Sequence, residues 1–261
     1  MQSEEVIAEL RPLLAGALIA TDFDGTLAPI VENPEHSRPV SDAVEVLVAL
    51  AKRGAHVGVV TGRDAATVIR LGGLEVIPGL VVEGLYGMEQ WRDGALTTPE
   101  TPAAMAELSR RLPELLKAEH AADGVWIEDK RLSLVLQTRP AADSDAELNR
   151  LRGPAEKLAA RLGLDVHAGR QVLEFRLPGY DKGDALHRLV ECTEPSAVLY
   201  AGDDVGDLPA FAAIAQLRQT GLRAWGIAAV SDESPPELSE AADVTVDGPA
   251  GVVAFLGALA S

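Results

Sequence analysis

The sequence predicts an α/β fold, a doubly wound parallel sheet interrupted by an inserted α+β domain, on three observations. Short apolar runs rich in Val, Ile and Leu recur between amphipathic stretches, the alternation expected of parallel strands covered by helices on both faces. Polar clusters directly follow three of these runs, at the strand ends where open parallel sheets bind their ligands. Between about residues 101 and 177 the pattern changes, and two helical periodicities alternate with strands of a different kind.

The core strands are expected in "ALIAT" (17–21), "AHVGVV" (55–60), "GLVVEG" (79–84), "AVLYA" (197–201) and "RAWGIA" (223–228). Val44, Leu47, Val48 and Ala51 fall at helical spacing between the first two, and that segment ends on Gly54. Leu208, Phe211, Ala212 and Ala215 repeat the pattern after the fourth. In the middle region one helix is read from Met105, Leu108, Leu112 and Leu115, the other from Leu148, Leu151, Leu158 and Leu162. Pro113 and Pro154 lie inside these patterns and are expected to kink or divide them. "GVWIED", "RLSLVLQT", "LDVHA" and "QVLEFRL" read as strands. In the second of them Leu132, Leu134 and Leu136 make one apolar face opposite a mixed one, as in a sheet covered on one side. "RDGALTTPETP" (92–102) reads as the way into the insert, with Thr101 and Pro102 suited to N-cap and N1. "LPGYDKG" (177–183) reads as the way out. The expected organisation is a core formed by 1–100 and 178–261 around an insert of 101–177.

Composition narrows the function. The chain has 261 residues, 47% hydrophobic and 24% charged, the usage of a globular protein able to bury a sizeable core. Its formal charge of −17 argues against nonspecific binding to nucleic acid or anionic membrane, both of which are held mainly by Lys and Arg. The lone Cys192 can form no internal disulfide and suits a reducing cytoplasm. The start "MQSEEVIAEL" is acidic where a secretory leader is basic, and "LLAGALIA" is far shorter than the ~20 residues of a membrane helix. Nothing in the sequence sets an oligomeric state, and a monomer is compatible with it.

The polar clusters are "DFDGT" after the first strand, "TGRD" after the second and "GDDVGD" after the fourth. Taken singly, "DFDG" could be a turn and "TGRD" a strand end with Asp64 as helix N-cap. "DFDG" is no EF-hand, because Leu27 and Asn33 stand where that loop needs its glycine and its bidentate glutamate. In "GDDVGD", Asp203, Asp204 and Asp207 would repel one another in any compact turn without a cation. A fourth element, "DKGDAL", puts Lys182 near the start of a helical pattern, where the macrodipole disfavours a cation by up to about 1 kcal/mol. Together the four make a coherent site. A divalent cation held by Asp22, Asp24 and Asp203 would relieve the repulsion, and Mg²⁺ suits carboxylate oxygens and a phosphate. A carboxylate can then attack phosphorus while a lysine and a hydroxyl stabilise the equatorial oxygens.

On these motifs the sequence resembles the haloacid dehalogenase superfamily of phosphatases: "DFDGTL", Thr61 of "VVTGR", Lys182 of "DKG" and "GDDVGD" are similar to its four motifs in order. The resemblance implies a Rossmann-like hydrolase core with a cap domain inserted between the second and third motifs. It also implies that Asp22 becomes an aspartyl-phosphate, that Asp24 protonates the leaving oxygen and then activates water, and that Thr61 and Lys182 hold the phosphoryl group. Mg²⁺ would be held by Asp22, the main-chain carbonyl of Asp24, and Asp203, with Asp204 and Asp207 supporting it or orienting Lys182. Gly62 and Arg63 would contact substrate.

Within the superfamily the chain resembles trehalose-6-phosphate phosphatases in "GLYGMEQW" (84–91), "EDKRLSL" (128–134), "VLEFRLPGYDKG" (172–183) and "VDGPAGVVAFL" (246–256). By that likeness Glu128, Lys130 and Glu174 of the cap reach sugar hydroxyls, and the substrate is a small sugar phosphate, trehalose 6-phosphate. Two departures stand out. Gln137 of "QTR" takes the place of a family histidine, and Gly206 and Asp207 are followed by Leu208 late in the fourth motif. A phosphatase for another sugar phosphate or pseudo-disaccharide phosphate is the near alternative. A sugar-phosphate mutase is more distant, as is a receiver-like signalling module, which needs no insert of about 75 residues.

Overall fold

In the computed structural model, which describes residues 2–130, 132–231 and 234–261, the chain divides into two units. One comprises Met1–Thr98 with Asp181–Ser261, the other Pro99–Tyr180.

The first unit opens with helix α1 (Ser3–Leu10) and strand β1 (Leu18–Thr21), followed by α2 (Ala43–Lys52), β2 (His56–Val60), α3 (Ala65–Gly72) and β3 (Val81–Gly84). A hairpin, β4 (Glu89–Arg92) and β5 (Ala95–Thr97), precedes the second unit. That unit runs α4 (Ala103–Ala118), β6 (Trp126–Asp129), β7 (Leu134–Gln137), α5 (Ser144–Leu162), β8 (Asp165–Gly169) and β9 (Val172–Arg176). The chain returns to the first unit through α6 (Lys182–Thr193), β10 (Ala197–Gly202), α7 (Leu208–Gln219), β11 (Arg223–Val230), α8 (Pro236–Ala241), β12 (Val244–Asp247) and α9 (Gly248–Ala260).

The sheet of the first unit has the order β12-β11-β10-β1-β2-β3-β4-β5. Strands β12 to β3 are parallel, and β4 and β5 add antiparallel to the β3 edge. Alternation along β1 sends Ile19 to one face and Leu18 and Ala20 to the other. Helices α1, α2, α3 and α9 cover the first face through Leu10, Leu47, Val68 and Phe255. Helices α6, α7 and α8 cover the second through Leu186, Phe211 and Leu238. This is a doubly wound sheet, as expected. The order reverses beside β1, which lies between β10 and β2, so the carboxyl end of β1 opens on the crevice such sheets use for ligands.

The entry segment 92–102 does contain the boundary between the units, Thr98/Pro99, but its first part is a hairpin and not open loop. Asp93 (φ 51°) and Gly94 (φ 79°) form a two-residue turn with both φ positive, and Arg92 pairs with Ala95 across it. Asp-Gly is the sequence signal for that turn, but the exposed Ala95–Thr97 lack the apolar run of a buried strand. Strand β12, Val244–Asp247, was likewise not read from the sequence. At the entry to α4, Pro102 is the N-cap and Ala103 the first helical residue, one position later than expected.

The second unit is a four-stranded antiparallel sheet, β6-β7-β9-β8, with α4 and α5 packed on one face. Leu134, Leu136, Leu173 and Phe175 meet Leu108, Leu112, Leu148 and Leu151 there. Pro113 and Pro154 do not divide their helices. Each removes a backbone hydrogen bond, yet buried leucines on either side of Pro154 in α5, Leu151 and Leu158, hold the helix to one core. Ser133 and Val135, on the face away from the helices, are buried as well, so the mixed face is not the exposed one expected. Leu151→Ala should destabilise the protein by about 2–5 kcal/mol through the cavity it leaves. A urea titration checks this, and an unchanged midpoint would mean that this core is not required for α5 to hold its place.

Candidate active site

The first unit brings the four polar motifs to the carboxyl end of its sheet. Asp22 follows β1 directly, and its N–H still donates to Ala201 O of β10 at 2.8 Å, so the backbone is fixed where the strand ends. Thr61 follows β2, Asp203 follows β10, and Lys182 is the first residue of α6.

At the centre is a buried ion cluster. Lys182 Nζ donates to Asp22 Oδ2 at 2.8 Å and to Asp207 Oδ1 at 2.7 Å, and lies 3.7 Å from Asp204 Oδ1. The macrodipole objection to Lys182 is met locally. Asp181 caps α6 by accepting from Asp184 N at 2.9 Å, and Asp184 reaches back to Asp181 N, placing two carboxylates at the positive end of the helix. Burial works to lower the Lys182 pKa, but Asp22, Asp207 and Asp204 override it and raise it well above the usual value, so the ammonium stays charged.

Asp207 has no acceptor position to spare. Its Oδ1 takes Lys182 and the Tyr200 hydroxyl at 2.5 Å, and its Oδ2 takes the N–H groups of Asp203 and Asp204 at 2.9 and 3.0 Å. Burial pushes its pKa up, yet Lys182 and Tyr200 hold it below the ordinary carboxylate value. Asp207 therefore orients Lys182 and the turn after β10. Tyr200 was not singled out from the sequence, although a tyrosine in a strand buried on both faces needs a partner for its hydroxyl.

Among the described residues, Asp22, Asp203 and Asp207 each bring a carboxylate oxygen within 4.8 Å of the others. Burial pushes the Asp22 carboxyl well up, opposed by Lys182 and reinforced by Asp207 and Asp203. Asp203 is pushed up to about 7 by burial and by Asp207 and Asp204. Carboxylates raised by one another are relieved by positive charge between them, and oxygen donors of this kind fit Mg²⁺. Asp22 and Asp203 have positions left for such an ion. Thr26 Oγ1, another residue given no role from the sequence, steadies Asp203 by donating to its Oδ1 at 3.0 Å. Asp204 has an exposed side chain that accepts from Gly206 N at 2.8 Å.

The remaining expected residues fall in two places. Asp24 does not join the carboxylate cluster with its side chain. Arg63 donates to Asp24 from Nε at 2.5 Å and from Nη2 at 2.7 Å, a planar fork matching a carboxylate edge. Ser37 Oγ, a residue the sequence did not flag, donates to Asp24 Oδ1 at 3.0 Å. Asp64 is the N-cap of α3, as expected, accepting from Thr67 N at 2.8 Å. Thr61 is buried, and its Oγ1 accepts from Arg63 N at 3.1 Å. Gly62 lies so close to Tyr86 that an added Cβ would sit 2.7 Å from the phenol oxygen.

Glu128, Lys130 and Glu174 belong to the second unit. Glu128 and Glu174 are both opposite Val135, on the sheet face turned away from α4 and α5. Gln137 Nε2 donates to Glu128 at 2.9 Å, Ser133 Oγ donates to Glu174 at 3.0 Å, and Lys130 Nζ lies 3.8 Å from Glu174. Arg131 of the same motif lies outside the described residues.

Fold and site together define the class: a haloacid dehalogenase-like α/β fold with an inserted α+β unit. A haloacid dehalogenase-like hydrolase from Bacteroides thetaiotaomicron shares it at TM-score 0.67 and 17% identity, over 92% of this chain and 98% of that one. The chain belongs to the trehalose-phosphatase family, whose model matches residues 20–244. It is 31% identical over 255 residues to a trehalose-phosphate phosphatase of Mycobacterium marinum, covering 92% of this chain and 60% of that protein. It is also 33% identical over 274 residues to an uncharacterized glycosyl hydrolase of Mycobacterium tuberculosis, covering 98% of this chain but 19% of the other. The chain thus spans less than two thirds of the length of these curated relatives.

Gly25 closes the site from below with φ 77°, and a Cβ there would lie 1.9 Å from Asp203 Oδ2. Gly25→Ala should therefore displace Asp203 and lower stability by about 1–3 kcal/mol from the left-handed backbone alone. Thermal denaturation checks this, and an unaltered melting temperature would show that the loop relaxes freely.

Proposed function

We propose that the protein is a Mg²⁺-dependent phosphatase that hydrolyses trehalose 6-phosphate to trehalose and phosphate through an aspartyl-phosphate. The observation that carries the reading is Lys182 buried between Asp22 and Asp207, beside Asp203, at the carboxyl end of β1. Family membership supports the substrate class, and the trehalose-phosphate phosphatase from M. marinum supports the particular sugar.

In this reading a free Asp22 oxygen attacks phosphorus, the P–O bond to the sugar breaks, and Asp24 delivers a proton to the departing oxygen. Asp24 then takes a proton from water as that water attacks phosphorus, and Asp22 leaves as a carboxylate. Lys182 and Thr61 hold the equatorial oxygens, and Gly62, without a side chain, leaves its N–H accessible to them. Asp22, the Asp24 main-chain carbonyl and Asp203 would hold Mg²⁺, with Asp204 and Asp207 in support. The ion when bound neutralises phosphate charge and so allows an anionic nucleophile to approach. Glu128, Lys130 and Glu174 take part in recognising sugar hydroxyls. We place the activity in the cytoplasm, whose reducing conditions suit the lone Cys192.

A second reading, a phosphatase for another sugar phosphate or pseudo-disaccharide phosphate, is favoured by one observation. Gln137, which replaces a family histidine, is hydrogen-bonded to Glu128, itself one of the proposed sugar contacts.

Phosphate release from a panel of sugar phosphates tests both. Trehalose 6-phosphate should be turned over fastest, and Asp22→Asn should abolish turnover while leaving the fold intact by circular dichroism, the amide being isosteric but a poor nucleophile. Glucose 6-phosphate matching trehalose 6-phosphate would reject the particular substrate.

Metal binding should show a pH dependence of definite sign. The Asp203 pKa is raised to about 7 in the folded protein against 3.8 for the ordinary group, so without a divalent cation its protonation stabilises the fold at low pH. That contribution is lost as pH rises through about 7, and Mg²⁺ competes with the proton for the same oxygens. Millimolar Mg²⁺ should therefore raise the melting temperature more at about pH 8 than at about pH 5.5. Equal gains at both, measured by calorimetry, would remove Asp203 from the metal site.

A further inference from the structure

Asp24 is held by three donors. Arg63 covers one edge of its carboxylate with Nε on Oδ2 and Nη2 on Oδ1, and the Ser37 hydroxyl adds a second hydrogen bond to Oδ1. A carboxylate offers about four acceptor positions, so one is left, on Oδ2. Ser37 is fully buried, whereas the Asp24 side chain is 32% exposed. A hydroxyl sealed from water thus spends its hydrogen on a carboxylate that already has a guanidinium partner.

The surroundings hold Ser37 in that role. The segment Pro34–His36 forms a single 3₁₀ turn, and Ser37 N–H donates back to Pro34 O at 3.2 Å. Arg63 Nη1 donates to the same carbonyl at 2.9 Å. Arg63 therefore ties together Asp24 and the turn that delivers Ser37. Guanidinium pairing alone leaves a carboxylate free to rock in the plane of the fork. A third donor from another direction stops that motion and fixes where the one remaining acceptor position points.

We infer that Ser37 is a positioning residue for the acid–base carboxylate: by occupying Oδ1 it leaves a single direction, from Oδ2, for passing a proton to the leaving oxygen and taking one from water. The inference rests on the assignment of Asp24 to proton transfer. It concerns the step in which the phosphorus–oxygen bond breaks and the Asp24 proton moves to the sugar oxygen. A sugar alkoxide leaves only if it is protonated, while p-nitrophenolate leaves unaided, so loss of aim on Asp24 weighs on the first and spares the second.

The test compares kcat/KM of wild type, Ser37→Ala and Asp24→Asn on p-nitrophenyl phosphate and on the sugar phosphate the panel ranks first. Ser37→Ala should lose about tenfold on the sugar phosphate and less than about threefold on the aryl ester, a fraction of the ~10²–10⁴ that proton transfer contributes. The ratio of the two is independent of how much of the variant is folded. Asp24→Asn should show the same bias in larger form. If Asp24→Asn shows it and Ser37→Ala loses equally on both substrates, or on neither, the role of Ser37 is overturned. If Asp24→Asn loses equally on both, the proton-transfer assignment falls and the inference with it.

Discussion

The structure of the site depends on one buried cation. Lys182 sits between Asp22 and Asp207 with almost no exposure, and removing it would leave two buried carboxylates facing each other. Everything nearby is arranged around that ammonium. Asp181 and Asp184 make the start of α6 tolerate it, Tyr200 and two backbone N–H groups hold the Asp207 that receives it, and the β1–β10 ladder fixes Asp22 on the other side. Such a cluster is poor evidence of stability, since apolar replacements are often as stable, but it fixes a geometry that an apolar core would leave undefined.

The two first-motif acids have different surroundings. Asp22 and Asp24 stand two residues apart in sequence, yet Asp22 is buried against Lys182 while Asp24 turns to Arg63 and Ser37. Gly25, with its positive φ, lets the backbone pass under Asp203 and separates the two environments. In the proposed reaction one carboxylate would meet phosphorus and the other handle protons, a division in which neither need serve both tasks.

Much of this was legible in the sequence where local periodicity ends on a charge. Apolar runs closing on Asp22, Thr61 and Asp203 announced strands with polar side chains at their ends, and a lysine at an electrostatically unfavourable helix start marked Lys182 out. What escaped had no local signature. Ser37 reaches Asp24 across an irregular segment, and Thr26 meets Asp203 across 177 positions, so neither pairing leaves a periodic trace. The motif also gives no sign that Arg63 pairs with Asp24. The partner of Arg63 is decided by the fork geometry. The edge hairpin was missed for a different reason: its Asp-Gly turn was visible, but an exposed three-residue strand carries no hydrophobic run to mark it.

The break in the first unit also bears on how the protein comes into being. Asp22 and Lys182 are 160 positions apart, with the whole inserted unit between them. At translation rates of about 5–20 residues per second, the acid is made ~8–32 s before its cation, and β1 waits as long for β10, one of its two neighbours. During that interval the nascent half-sheet has an unpaired edge and an Asp22 without its cation. The inserted unit, whose helices and sheet share one core, can collapse before Lys182 is made, so the Asp22–Lys182 pair closes only after that unit has been synthesised.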